Sequence, residues 1–371
     1  MITLGVDAHK TMHVAVSVDE GGRPLDTWEG TNSQSSWQGM LAWASQWESR
    51  QWGIEGTGNY GRGLAQHLVA VGETVYEVNP RLTAQGRRRA RKQDKNDRLD
   101  AQAVARALLR DVPELPEVVL EDEAAVLELM NRERDRLRTQ VDRLRNQLHN
   151  RLFQVDPQYR KSFPSLSKLA AIQNLEQYTA AADTPLASVR GAAVRRVASL
   201  LRLVLEQHQQ ITGEIESLSG TRYGALTEIQ GVARLTAGIL AGILGTRRFA
   251  TEGQFASYSG ASPIETSSAG RVRHRLNRGG NRRLNRVLYL IALTQWKQKG
   301  AGRNYIQRRM EQGKSWLEAV RALKRFIARA VWRLWQRHYA IKHPPNPDPT
   351  SPQPGPSKYS QHCPLPQPQL T

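Results

Sequence analysis

The chain has 371 residues with 39% hydrophobic content, enough to bury two separate cores, and carries a formal net charge of +19. Such a charge calls for a polyanion, and nucleic acid fits better than a membrane surface because the basic runs lack a facing stripe of large apolar residues. The longest apolar run, Leu235 to Leu244, is too short to cross a bilayer, the lone Cys363 excludes a disulfide framework or cysteine-built zinc site, and no basic-then-apolar leader opens the sequence, so a soluble cytoplasmic protein is expected.

In chain order, Thr3 to Asp7, Met12 to Val18 and Leu25 to Glu29 read as strands, and their short links predict an antiparallel meander. The second alternates Val14, Val16 and Val18 with His13, Ala15 and Ser17. A helix over Ser35 to Glu48 follows, then a strand over Gln51 to Glu55, the turn GTGNYGRG, a helix over Leu64 to Val71, and a strand over Thr74 to Val78 that Asn79-Pro80 stops. Next comes a basic run, Arg87, Arg88, Arg89, Arg91 and Lys92. It leads into a helix that places Asp97 and Asp100 on one face at its head, with Ala101, Val104, Ala105 and Leu108 at helical spacing. Strands first and then alternating helix and strand is an α/β order, assigned to residues 1–115.

From about Glu121 the pattern becomes heptad. Leu137, Val141, Leu144, Leu148 and Leu152 form one seam, and Val197, Leu201, Val204, His208, Ile211, Ile215 and Leu218 form another, with a helix-like stretch from Leu186 to Arg196 before it. Residues 116–220 therefore read as a long coiled-coil insert, either an antiparallel pair or a contact between subunits. His208 reads as a core position and not as a ligand. Residues 221–342 read as a mainly α domain. Leu226 to Ala237 has the form of a helix-hairpin-helix, Arg271, Arg273, Arg275, Arg278, Arg282, Arg283 and Arg286 make an acid-free phosphate-contacting run, and Trp316 to Ile341 is an amphipathic closing helix. The tail, residues 343–371, is proline-rich with almost no charge and is expected to be disordered.

Asp7 ends the first strand and Glu55 the fourth, where acids are poor strand formers. For Asp97 and Asp100 two readings stand: acids that complement a helix N-terminus, or a share in a cation site. Four acids at element boundaries in a basic chain suit two Mg²⁺ ions, with Mn²⁺ as the alternative, about 4 Å apart around a phosphodiester. Hydrolysis needs no more than that. Ser262, Ser267 and Ser268, in a loop of the arginine-rich half, add hydroxyls that an activating group would turn into nucleophiles.

GVDAHK (Gly5 to Lys10), IEGTGNYG (Ile54 to Gly61) and KNDRLDAQAVA (Lys95 to Ala105) together resemble the RuvC-like DEDD domain of insertion-sequence-110 family transposases. IQGVARLTAGILAGIL, YSGASPIETSSAG and RGGNRRLNRVLYLIA resemble their second, serine-bearing domain, so the likeness covers residues 1–342. It implies an RNase H-like N-terminal fold, Asp7, Glu55, Asp97 and Asp100 as metal ligands, and a serine nucleophile. That serine is Ser268, or Ser267, with Ala269 standing where similar proteins carry glycine. It also implies a bacterial, nucleoid-associated recombinase of double-stranded donor and target DNA, a structured non-coding bridge RNA as guide, and a homotetramer whose active sites combine domains of different subunits. A resolvase-like hydrolytic nuclease and a non-catalytic nucleic-acid scaffold are the alternatives.

Overall fold

The computed structural model describes residues 1–83, 96–180, 184–262, 264–265, 274–275 and 280–340. Strands β1 (Ile2–Ala8), β2 (Met12–Val18) and β3 (Pro24–Thr31) form the antiparallel meander. On the other side of β1, β4 (Arg50–Glu55) and β5 (Val75–Val78) run parallel to it. Two short strands, β6 (Glu117–Val118) and β7 (Arg247–Arg248), extend the sheet, whose order is β3-β2-β1-β4-β5-β6-β7. Because β7 comes from the second half of the chain, both halves share one sheet.

Helix α1 (Gln34–Ala44) begins at Ser33, whose hydroxyl accepts the Ser36 N–H. With α2 (Arg62–Ala70) it covers one sheet face, Met40, Leu64 and Leu68 packing on Leu4, Val6 and Ile54. Helix α3 (Asp97–Asp111) covers the other, Ala101 and Ala105 packing on Val14, Val16 and Val18. The alternation in β2 thus reflects two covers and not a wet face. His13 and Ser17 are fully buried, and the Ser17 hydroxyl donates to the Asp26 carbonyl at 3.2 Å and accepts its N–H at 3.0 Å.

Helices α4 (Glu123–Val155) and α6 (Pro185–Arg222) run antiparallel, Arg222 at the end of α6 pairing with Glu123 at the start of α4 at 2.6 Å. Val141, Leu148 and Leu152 of one seam meet Val194, Val197 and Leu201 of the other, and α5 (Leu169–Glu176) closes the cluster with Ile172 and Leu175. The helix-like stretch and the second seam are one continuous 38-residue helix, because Thr184 caps it and Pro185 suits its first turn. His208 lies on it with Nε2 buried and no hydrogen bond.

Helices α7 (Arg234–Leu244), α8 (Glu252–Tyr258), α9 (Arg282–Lys297), α10 (Ala301–Glu311) and α11 (Trp316–His338) build the second core with Leu127 and Ile215 of the long pair. What precedes Gly231 is a 3-10 turn, Gly224–Glu228, where the apolar pattern predicts a helical segment. The chain just after that turn meets α9, where Gln295 donates to the Gln230 carbonyl at 2.6 Å. Two-residue strands β8 (Ile264–Glu265) and β9 (His274–Arg275) pair antiparallel. The tail beyond Ala340 lies outside the described residues.

Candidate active site

β1 and β4 are parallel neighbours in register as far as Val6 and Ile54, so Asp7 and Glu55 come next, side by side at the same sheet end. Helix α3 delivers the other two acids. It does so because Gly5 leaves room: a Cβ there would lie 2.2 Å from the Ala105 nitrogen and 2.3 Å from the Ala101 carbonyl oxygen. The helix backbone therefore rests on β1, and its first turn overhangs the strand end. Capping is performed by Asn96, whose side chain accepts the Arg98 N–H at 3.0 Å, so Asp97 and Asp100 are not the caps.

The acids converge. His9 Nε2 lies 3.1 Å from Asp7 Oδ2 and 3.6 Å from Asp97 Oδ1, and the three ligand atoms all fall within 4.8 Å of one another. Burial pushes the Asp7 carboxyl above the usual carboxylate range; His9 pulls it back, and Asp100 and Asp97 push it further up. Glu55 Oε2 accepts from the buried Thr83 hydroxyl at 3.0 Å. Sequence reasoning singles out the acids and passes over His9. Its signal is present in GVDAHK, since a residue two beyond Asp7 in extended chain returns to the same side.

Ser267 and Ser268 lie outside the described residues, as do Arg87, Arg88, Arg89, Arg91, Lys92, Arg271, Arg273 and Arg278; Arg275 is placed only as part of β9. The stem of the serine-bearing segment is described. A Cβ on Gly280 would lie 2.4 Å from the Gly260 nitrogen, so the chain leaves and returns through one narrow gap. Asn281 N–H donates to the Tyr258 carbonyl at 2.6 Å, and Asn285 Nδ2 to the Ser259 carbonyl at 2.9 Å. Lys324 Nζ donates to Asn285 Oδ1 at 2.7 Å, and Arg325 Nη1 to Ser262 Oγ at 3.0 Å. Burial brings the Lys324 ammonium down to about 8.

Residues 4–157 match the DEDD transposase family named for IS110, and residues 223–307 match the transposase IS116/IS110/IS902 family. The chain belongs to the IS110 family of transposases.

A relative from Streptomyces clavuligerus, "Insertion element IS116 uncharacterized 44.8 kDa protein", is 24% identical over 386 aligned positions, covering 90% of this chain and 94% of that protein. "Insertion element IS110 uncharacterized 43.6 kDa protein" of Streptomyces coelicolor is 32% identical over 136 positions, covering 36% of this chain and 34% of that protein. This IS110-family protein is a DNA transposase, and the two matched regions hold the acidic cluster and the serine stem respectively. A DEDD-type domain implies a divalent metal, and the donor set fits: carboxylate oxygens and one imidazole nitrogen, close together and partly shielded from water. Of the basic residues picked from sequence, Arg282 and Arg286 of the transposase stand exposed. Arg283 does not, because it turns inward to Glu128 at 3.0 Å and Asp135 at 3.5 Å and ties α9 to α4. Among the described residues no helix is long and apolar enough to cross a membrane.

Proposed function

We propose that the protein joins DNA strands through a covalent serine intermediate, with Asp7, Glu55, Asp97 and Asp100 of an RNase H-like domain holding two Mg²⁺ ions. The observation that carries this reading is the approach of Asp7 and Asp97, from distant parts of the chain, to a single His9 nitrogen at 3.1 and 3.6 Å. Carboxylates that repel one another in a half-buried place are a site prepared for positive charge. Divalent ions bound there would lower the pKa of an attacking oxygen and offset charge on a leaving one.

In this reading Ser268, or Ser267, attacks the scissile phosphorus. The serine O–P bond forms, the 3′ oxygen of the cut strand leaves and takes up a proton, and the phosphoserine ester keeps the bond energy for rejoining. The 3′ hydroxyl of the incoming strand then displaces the serine. The close approach of Gly260 and Gly280 would anchor both ends of the segment that carries it. A bridge RNA would choose the DNA sites by base pairing, leaving backbone contacts to the protein. Residues 1–115, 116–220 and 221–342 would be the metal, coiled-coil and serine domains of a tetramer, with the helix pair as its contact surface.

The test is covalent trapping. Ser268→Ala should abolish both strand transfer and the protein–DNA adduct, with Ser267→Ala as its neighbour control, and Asp100→Ala should abolish both too. Cleavage that persists without any adduct in either serine variant would instead mark a hydrolytic nuclease.

A further inference from the structure

Helix α11 carries arginine at every fourth position, Arg321, Arg325, Arg329, Arg333 and Arg337, and Glu318 is its single acid. Four residues advance about 6 Å along a helix and about 40° around it, so the row spans about 24 Å as a shallow spiral. That length matches roughly seven phosphates of one B-DNA strand. An ordinary solvated helix face mixes signs at these spacings. Glu318 of the same helix interacts with Arg321 at the start of the row, and the carboxylate serving its middle comes from another helix. Glu252 of α8 lies 3.7 Å from Arg325, 2.7 Å from Arg329 and 3.6 Å from Arg333. One negative charge shared by three guanidinium groups holds them spread and leaves two positive charges uncompensated. The arginines remain accessible, their side chains 30%, 41% and 64% exposed. Arg329 also lies over the Phe326 ring at 5.8 Å, which stiffens it.

The row also has a direction. Arg325, the second of the five, bonds to Ser262 just before the serine-bearing segment, so the N-terminal half of the row lies at the entrance to that segment. We propose that this face of α11 binds the phosphate backbone of the DNA strand being cut and leads it to the serine, with Glu252 keeping the arginines spread. The choice of DNA rests on the serine-transfer reading above, since the strand attacked must pass the stem. Arginine suits the task because its planar fork accepts phosphate oxygens two at a time.

Every phosphate that the protein ceases to neutralise makes the slope of log K against log salt shallower by about 0.9. The double variant Arg329→Gln/Arg333→Gln should therefore bind duplex DNA with a slope shallower by about 1.8, and Arg136→Gln/Arg151→Gln, the same charge removed from α4, should leave it unchanged. Thermal melting checks that both variants fold. An unchanged slope, an equal fall in the control, or a fall confined to RNA of the same sequence would overturn the assignment. Binding is read without any adduct. A Ser267→Ala/Ser268→Ala protein that still forms the adduct would sink the serine reading and leave this measurement standing.

Discussion

Arg247 of β7 donates to Glu77 of β5 within the sheet that both halves of the chain share, while its guanidinium lies over the Tyr258 ring at 5.6 Å. Burial by itself would lower the Arg247 value; the Glu77 carboxylate outweighs it and holds the guanidinium well above its ordinary value. Tyr258 in turn accepts Asn281 at its hydroxyl at 2.9 Å, so β5 is linked to the serine stem through three side chains. Removing Glu77 strands a buried cation. Glu77→Ala should cost about 3 to 5 kcal/mol in urea unfolding. Glu77→Ala/Arg247→Met should cost less than the single change, because the double variant leaves no unpaired charge.

Gly5 predicts a different kind of failure. Any side chain there meets α3 backbone, which cannot move aside as a flexible side chain would. Gly5→Ala should cost about 1 to 3 kcal/mol, and the strain should be relieved by α3 lifting off β1. That motion carries Asp97 away from His9. If the acids hold Mg²⁺ as proposed, Mg²⁺ should raise the melting temperature of the wild type and raise that of the variant less. A full Mg²⁺ response would show that the helix position does not set the acids.

The meander, the helices that flank its sheet and the two long helices with their seams are legible in the sequence because each follows a short apolar period that tertiary packing reinforces. Two things are not. Burial of both faces of β2 depends on α3 returning from some eighty positions away to cover Val14, Val16 and Val18, while His13 and Ser17 share with Ala15 the face turned toward α1 and α2, and nothing local in β2 signals it. The inward turn of Arg283 depends on Glu128 and Asp135, two acids on a remote helix, so a run without acids in sequence still holds an internally paired arginine. At the site, Asp7, Glu55, Asp97 and Asp100 stand out because acids at strand ends and in a basic chain break local rules. His9 breaks none, and only geometry places its nitrogen between two carboxylates.

Burial lowers the values of His13, His149 and His208 from the ordinary 6.5. For His208, Arg134 and Arg138 add to the effect. Above 6.5 each ring is neutral in both states and favours neither. As pH falls below 6.5 the unfolded chain takes up these protons first, so stability drops until the lowered folded values are reached. The urea midpoint should fall as pH drops below 6.5. His208→Leu should make that fall shallower. At neutral pH it should also raise stability by roughly 1 kcal/mol, because it removes a buried ring nitrogen that has no hydrogen bond. A steeper acid fall in the variant would contradict both.

Asp7 sets function against stability. Its carboxyl is raised above 3.8, first by burial and then by Asp100 and Asp97 against the pull of His9, so at neutral pH its ionised form is a penalty on the folded state. The penalty shrinks as pH falls through the raised folded value and is gone below 3.8, where folded and unfolded chains are both protonated. Asp7→Asn keeps the shape and removes the charge. With EDTA present the variant should melt above the wild type at neutral pH, and this advantage should disappear in acid. Adding Mg²⁺ should raise the wild-type melting temperature and leave the variant unmoved, and strand transfer by the variant should be lost. A variant no more stable than wild type in EDTA would mean that the carboxylate is already neutralised by His9 and that the cluster is a finished hydrogen-bond network with no charge left for a cation.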